Sequence, residues 1–295
     1  MNDGLPVPDF ELADRVSPLG DKADPIAFYL DYGKQIHDEI TGLLPEGWSL
    51  EGRRVLDFGA GAGRVLRHFA RSGAELHGSD IDIASVEWMT ANLAPHVHPF
   101  HNGEEPGLRR PDDFFDLVYA VSVFTHITDH WAGWLLELRR VLKPDGILIA
   151  SFIGEGAIPA VTGEPWSDER FGMNVLNEGQ PWHLGGPTVI HSPWWLRKHW
   201  GRAFEILDLK LSGFANDPGA GHGVVVARPR PEPVTAADLE AVQAADQREI
   251  SALRHNLAQL HHENEAKRYW LEELQRSPSW RVTAPLRRLK RLTGN

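Results

Sequence analysis

The stretch Val55-Leu56-Asp57-Phe58 followed by Gly59-Ala60-Gly61-Ala62-Gly63 constrains this chain more than any other feature. An apolar strand ends in an acid, and alternating glycines then let the backbone turn tightly and leave main chain bare for a ligand. Ala62–Arg71 reads as the helix that follows. A dinucleotide loop places its third glycine three residues after the second. Here Gly63 follows Gly61 by two, and Arg64 stands at the third position. Asp57 would also repel a pyrophosphate. Glu75-Leu76-His77-Gly78-Ser79-Asp80 reads as a second strand ending in an acid. Its distance from the loop, about 20 residues, is where a carboxylate accepts from the two hydroxyls of a ribose.

The rest of the first half keeps the same alternation. Arg54–Phe58, Ala74–Asp80, Val97–His101, Phe115–Val121 and Ile147–Phe152 read as strands. Helices are expected at Pro25–Leu44, Ala84–Leu93 and Asp129–Lys143. Such alternation predicts a parallel sheet covered on both faces. From Gly154 to His191 the rhythm breaks in a stretch rich in Gly, Pro, Trp and His, and loops of that length are usually functional or disordered. Ser192–Arg202 then reads as a helix, with Phe204–Leu211 and Gly223–Ala227 as strands six and seven. The Pro-rich run after Ala227 reads as a linker that ends the domain. The expected organisation is an arm over 1–24, a domain over 25–228 with an insert at 154–191, a linker over 229–235, a helix or coiled coil over 236–276, and a basic tail over 277–295.

Formal net charge is −11, which argues against a general nucleic-acid binder. The chain has no cysteine, so it has no disulfide framework and no Cys-based metal site. The start of the chain lacks a basic region followed by an apolar one, and no apolar run is long enough to span a bilayer. A cytoplasmic location is the expectation.

Val55-Leu56-Asp57-Phe58-Gly59 resembles motif I of the class I S-adenosylmethionine (SAM) methyltransferases. Phe115-Asp116-Leu117-Val118 with Ser122-Val123-Phe124-Thr125-His126-Ile127 resembles the fourth-strand signature of their small-molecule members. Leu138-Arg139-Arg140-Val141-Leu142-Lys143-Pro144-Asp145-Gly146 resembles the motif that follows. These matches cover half the chain, from about Val55 to Phe152. The resemblance implies a Rossmann-like α/β sheet of seven strands with the last antiparallel, and SAM as cofactor. It assigns Asp57, Gly59, Gly61 and Arg64 to the methionine end and Asp80 and Ile81 to ribose and adenine. Ala60, Asn102 and Val121 complete the cofactor set. Asn102 stands where many relatives have an acid, and Ala60 where many have Cys.

Methyl transfer from a sulfonium is an in-line displacement that needs alignment and exclusion of water. A hydroxyl acceptor gains from a base near neutral pH, and histidine is the usual one. His126, just after the fourth strand, stands at the carboxyl edge, where open α/β sheets bind ligands. Its alternative role is a structural cap. Glu155 follows the fifth strand at that edge. His183 and His191 lie in the insert, where a surface or packing role is the alternative. These histidines and Glu155 match no compact ligand motif, so no metal is expected. Trp195 and Trp200 read as core, whereas Trp166 and Trp182 are left open between core and stacking on an acceptor.

Beyond the linker, Ile250, Leu253, Leu257, Leu260, Asn264, Lys267, Leu271 and Leu274 follow a 3-4 spacing. That seam fits a short coiled coil, hence a homodimer, or a solvated single helix. Leu286, Leu289 and Leu292 form a stripe among Arg and Lys, with Thr283 as a cap. They fit an interfacial helix on an anionic membrane or a basic docking peptide. Ser277-Pro278-Ser279-Trp280-Arg281-Val282-Thr283-Ala284-Pro285-Leu286-Arg287 resembles a tail found after coiled coils in bacterial glycosyltransferases and methyltransferases of surface-polysaccharide assembly. It implies a sugar hydroxyl of a surface or lipid-linked glycan as acceptor, a polysaccharide-assembly glycosyltransferase as partner, and work at the inner face of the cytoplasmic membrane. The alternatives are a methyltransferase of a soluble small metabolite and a non-catalytic SAM-binding scaffold.

Overall fold

In the computed structural model, residues 4–15, 19, 22–163, 165–182, 185–215, 221–243 and 245–283 are described. A short helix α1 (Phe10–Arg15) precedes α2 (Pro25–Gly42), whose start is set by Asp24 accepting from the Ala27 amide at 3.0 Å and by Pro25 in the first turn. Then come β1 (Arg54–Phe58), β2 (Glu75–Asp80), α3 (Ile83–Asn92), β3 (Val97–His101), β4 (Phe115–Ala120), α4 (Trp131–Val141) and β5 (Leu142–Phe152). The insert holds a one-turn helix α5 (Ile158–Thr162) and strands β6 (Met173–Leu176) and β7 (Thr188–His191). The chain continues through α6 (Pro193–His199), β8 (Phe204–Phe214), β9 (His222–Pro229), α7 (Ala236–Glu240), α8 (Gln247–Arg276) and α9 (Pro278–Val282).

The main sheet has seven strands in the order β3-β2-β1-β4-β5-β9-β8. β9 pairs antiparallel with both neighbours, and the other main-sheet pairs are parallel. This is the Rossmann-like arrangement expected from the strand-helix alternation. One apolar layer lies between the sheet and the α4/α6 side, with Phe124, Trp134, Leu138 and Trp200 in it. The other lies under α2 and α3, with Ile36, Ile40, Phe69 and Met89. At the amino edge, Asp116 accepts from the Arg54 amide at 2.9 Å and from Arg53 and Lys143, each at 2.8 Å. The acid of the fourth-strand signature therefore ties strands together, away from the ligand edge.

Three expectations change. Ala62–Arg71 is no α-helix. Gly59, Gly61 and Gly63 all hold positive φ (84°, 52° and 75°), and Gly73 turns the chain again, leaving room only for a 3-10 segment at Leu66–Phe69. The insert has order of its own: β6 and β7 form an antiparallel hairpin, and β7 reaches β5 through an Ile153–Ile190 bridge. Packing also runs on beyond the linker. Leu239 of α7 is fully buried in the α4/α6 layer, and Glu249 and Ala252 of α8 are buried.

α8 docks with a polar stripe. His199 Nε2 lies 2.8 Å from Glu249, and Lys198 donates to Asp246 at 2.9 Å and to Glu249. Two turns on, Asn256 accepts from the Val175 amide at 2.9 Å, and after two more Glu263 accepts from the Asn177 amide at 2.9 Å. The apolar seam is on another face: Leu257, Leu271 and Leu274 are exposed, as is Trp270 at 70%. No partner chain covers it here, and the coiled-coil expectation gains nothing from the single chain. The Thr283 hydroxyl donates back to the Ser279 carbonyl at 2.7 Å, and the helix it was expected to cap lies outside the described residues. The rest of the basic tail, with Leu286, Leu289 and Leu292, lies outside the described residues. Among the described residues, no helix is long and apolar enough to cross a membrane.

Candidate functional site

The carboxyl ends of β1, β2 and β4 converge on the glycine loop. The Gly59 and Ala60 amides donate to the Ser79 carbonyl at 2.8 and 2.9 Å, pinning the loop to β2. The Gly61 amide donates to Asp80 Oδ2 at 2.6 Å, and the Asp82 amide to Asp80 Oδ1 at 2.8 Å. Asp80 therefore sits between the loop and the end of its own strand. A carboxylate has about four acceptor positions, so two remain for hydroxyls. Burial pushes the Asp80 carboxyl above the ordinary range.

Asp57 is buried at the end of β1, and burial pushes its carboxyl up to about 8. Arg64 packs under α2, with its carbonyl so close to Gly33 that a Cβ there would stand 2.2 Å away. Its guanidinium lies over the Tyr32 ring at 4.9 Å, with Nη1 buried and without a hydrogen-bond partner among the described residues. Burial lowers its pKa. Ala60 is core, and Val121 is half-buried against the α2/α3 layer. The Ile81 carbonyl lies 3.1 Å from His101 Nε2. Asn102 is buried, its amide nitrogen donating to the Gly103 carbonyl at 3.1 Å, while its Oδ1 is buried with no partner among the described residues.

These residues fit SAM. The orphaned Asn102 oxygen can accept from the amino group of an adenine, and the spare positions of Asp80 suit ribose hydroxyls. The phosphate-free character of the loop holds in three dimensions, because three of its amides are already spent on Ser79 and Asp80 of β2.

The turn after β4 joins the two sides of the site. Val123 presses on the loop so closely that a Cβ on Gly59 would stand 2.3 Å from its Cγ2. The His126 amide donates to the Val123 carbonyl at 2.9 Å, and His126 Nδ1 lies 2.8 Å from the Pro187 carbonyl. A carbonyl only accepts, so Nδ1 carries the proton and Nε2 keeps its lone pair. Burial lowers the His126 pKa, and it is neutral at pH 7. The insert is thereby held to the turn, and the Val189 amide adds a bond to the Thr125 carbonyl at 2.7 Å.

The other sequence candidates fare unequally. Glu155 is exposed just beyond β5. His183 lies outside the described residues. His191 is fully buried against Trp195 and Trp200, at ring-centroid distances of 5.4 and 6.2 Å, with neither ring nitrogen partnered. Burial pushes its pKa down to about 3. Trp195 and Trp200 are core, as expected. Trp166 stacks on Phe171 at 5.1 Å, and Trp182 is exposed. Among the described residues, no cluster could hold a metal ion.

Sequence reasoning missed Ser122, Ser151 and His222. Ser122 takes a positive φ of 59°, Ser151 is buried, and His222 opens β9 beside them. Their only sequence signal was position at strand ends, and the pairing of β9 with β5 was not legible.

A family model described as a methyltransferase domain matches residues 27–212. The chain is 32% identical over 146 residues to a ubiquinone biosynthesis O-methyltransferase of Cereibacter sphaeroides, an alignment that covers 46% of this chain and 58% of that relative. The chain spans about half the length of the curated relatives it matches. In structure it resembles a Haloferax volcanii complex of the Trm112 methyltransferase activator with its methyltransferase, with a TM-score of 0.53 at 16% identity, covering 73% of this chain and 97% of that one. It also resembles an S-adenosylmethionine-dependent methyltransferase of Listeria monocytogenes, with a TM-score of 0.50 at 15% identity, covering 67% and 99%. At these identities the structural likeness is one of fold.

Proposed function

The chain belongs to the methyltransferase-domain family, and on that premise we propose that it methylates a hydroxyl of a small-molecule acceptor, with His126 as the base. One observation carries the reading. A single turn, 122–126, packs on the glycine loop through Val123 and presents a neutral histidine with a free Nε2 lone pair at its other end. SAM, when bound, supplies an electrophilic methyl group on a sulfonium.

Every other task falls to the chain. Asp80 and Asn102 hold the nucleoside end. Asp57 and Arg64 stand at the methionine end. Ser122–His126 fixes the distance between loop and base, and the insert holds the His126 ring through the Pro187 carbonyl. His126 Nε2 takes the hydroxyl proton as the oxygen attacks. Glu155, exposed and without a hydrogen bond among the described residues, has no comparable support as the base. The name of the Cereibacter sphaeroides relative, an O-methyltransferase, agrees with a hydroxyl acceptor. The glycan acceptor, the glycosyltransferase partner and the membrane contact rest on the tail, most of which lies outside the described residues.

The test is methyl transfer from labelled SAM by the full chain to a panel of phenols and sugars, with product analysis. O-methyl products are expected, with kcat falling about 100-fold in His126→Gln while SAM affinity holds. SAM binding without transfer to any acceptor would sink the enzyme reading and leave the scaffold alternative. Products formed only on sugars would restore the glycan acceptor.

A further inference from the structure

Ser122, Ser151 and His222 form a relay that the proposed reaction has not used. The Ser122 amide donates to Ser151 Oγ at 2.7 Å, and Ser151 Oγ lies 3.3 Å from His222 Nδ1. Ser151 is 1% exposed, and its hydroxyl has a single proton. If His222 donated from Nδ1, that proton would be left buried without an acceptor, which costs more than the bond gains. Ser151 therefore donates to Nδ1, and the proton of the neutral ring sits on Nε2.

The ring is well held. A Cβ on Gly223 would stand 2.3 Å from Phe152 Cζ, so β9 is pressed against the end of β5. Ser122 accepts its positive φ, and its hydroxyl lies 3.2 Å from that of Thr125. Thr125 precedes His126. The same short turn thus anchors both imidazoles, His126 through the chain and His222 through Ser151. Burial chiefly, with the charge of His126 opposing, keeps His222 neutral as well, down to about 4.

The two rings have opposite polarity. His126 offers a lone pair at Nε2, because its Nδ1–H is held by the Pro187 carbonyl. His222 offers an N–H at Nε2, which has no partner among the described residues. We propose that His222 is a second acceptor-side residue, whose Nε2–H, fixed by Ser151, donates a hydrogen bond to an oxygen of the acceptor while His126 takes the proton of the hydroxyl. The inference rests on the methyltransferase reading and narrows the acceptor to one that presents an oxygen to each ring. Selection would come from the difference: an acceptor lacking the second oxygen leaves that N–H without an acceptor oxygen.

The test uses the full chain with labelled histidine and S-adenosylhomocysteine. Long-range proton–nitrogen spectra of the imidazoles are expected to show His222 as the Nε2–H tautomer and His126 as the Nδ1–H tautomer at pH 7. In Ser151→Ala, His222 should lose its single tautomer while His126 keeps its own. An Nδ1–H ring at His222, or one indifferent to Ser151→Ala, overturns the proposal and leaves the methyltransferase reading intact. Kinetics supply the second arm, with catechol and methyl glucoside as probe acceptors. His222→Phe should raise KM for a turned-over probe about tenfold, the worth of one hydrogen bond near 1.4 kcal/mol, with SAM affinity unchanged. His222→Gln, which keeps an N–H donor, should recover most of that loss. Equal KM in both variants overturns the proposal. Where neither probe is methylated, the tautomers alone decide, and failure of SAM binding counts against the wider reading instead.

Discussion

Asp57, Gly59, Gly61 and Asp80 belong to one strand-loop-strand unit, in which the Gly59 amide donates to the Ser79 carbonyl and the Gly61 amide to the Asp80 carboxylate. Ser122, His126, Ser151, Pro187 and His222 come from the turn after β4, the end of β5, the loop before β7 and the start of β9. The nucleoside side is written locally, whereas the acceptor side exists only once distant strands have paired. The two sides also carry opposite titration. Burial raises Asp57, an acid, and lowers His126, His191 and His222, all bases. Val123 against Gly59 joins the two sides directly in the turn described above.

Breaking that join should have the largest effect. In Gly59→Val a branched side chain meets Val123 at a backbone φ of 84°, which strains the loop by about 1–3 kcal/mol before any clash is counted. SAM affinity, read by calorimetry on the full chain, should fall at least about 1000-fold, or some 4 kcal/mol. Circular dichroism separates this from unfolding. A folded Gly59→Val chain that binds SAM normally would show that the loop is not the cofactor cradle.

The contrast explains what could be read from the sequence. The alternation of strands and helices, the antiparallel last strand and the place of Asp80 follow from local spacing and a resemblance to contiguous motifs. The helix expected at Ala62–Arg71 failed because positive φ at three glycines consumed the residues it needed. Leu239 and Glu249 were invisible as domain residues. Their burial depends on α4 and α6, and the intervening proline run has the composition of a linker. Ser151 and His222 looked like ordinary strand residues because a serine-to-histidine bond across paired strands leaves no periodic trace.

The next effect in size tests where the folding unit ends. Leu239 is fully buried beside α4, so Leu239→Ala should cost about 2–4 kcal/mol through lost burial and an unfilled cavity. Thermal unfolding reads it directly. A change under about 0.5 kcal/mol, typical of a surface site, would make α7 an appendage after all. SAM affinity should stay normal in the folded variant, since the loop is on the far side of β1.

The opposite titrations give the third test. His191 has a folded pKa of about 3 against an ordinary 6.5. The unfolded chain then binds a proton that the native chain refuses, so stability is present above about pH 6.5 and is lost as pH falls below it. At pH 5 the loss from this one residue is about 2 kcal/mol. His191→Leu, which also removes two unpartnered ring nitrogens, should recover that amount at pH 5 and be at least neutral at pH 7. Asp57 works the other way. Its folded pKa of about 8 means the native chain holds a proton that the unfolded chain has released, so stability falls as pH rises from about 3.8 to 8. Denaturant midpoints of Asp57→Asn and His191→Leu should therefore diverge from the parent at opposite ends of the pH range. Parallel curves would remove the contrast between the two sides.

The smallest effect asks whether α8 helps to build the acceptor side. Asn256 accepts from the Val175 amide on β6, β6 pairs with β7, and the chain just before β7 holds His126 through the Pro187 carbonyl. Asn256→Ala leaves one amide without its partner, a cost of about 1 kcal/mol in stability. Its distinctive consequence is local. Because the loop end of the hairpin is held on β6 by α8 and, facing it, just before β7 by His126, loosening it should let the His126 tautomer average while Asp80 and the glycine loop are untouched. Amide exchange at Val175 and the imidazole spectrum of His126 report the two tethers separately. Faster exchange at Val175 with an unchanged His126 would mean that the hairpin bends without passing its motion to the base, and α8 would then be a support for the fold alone.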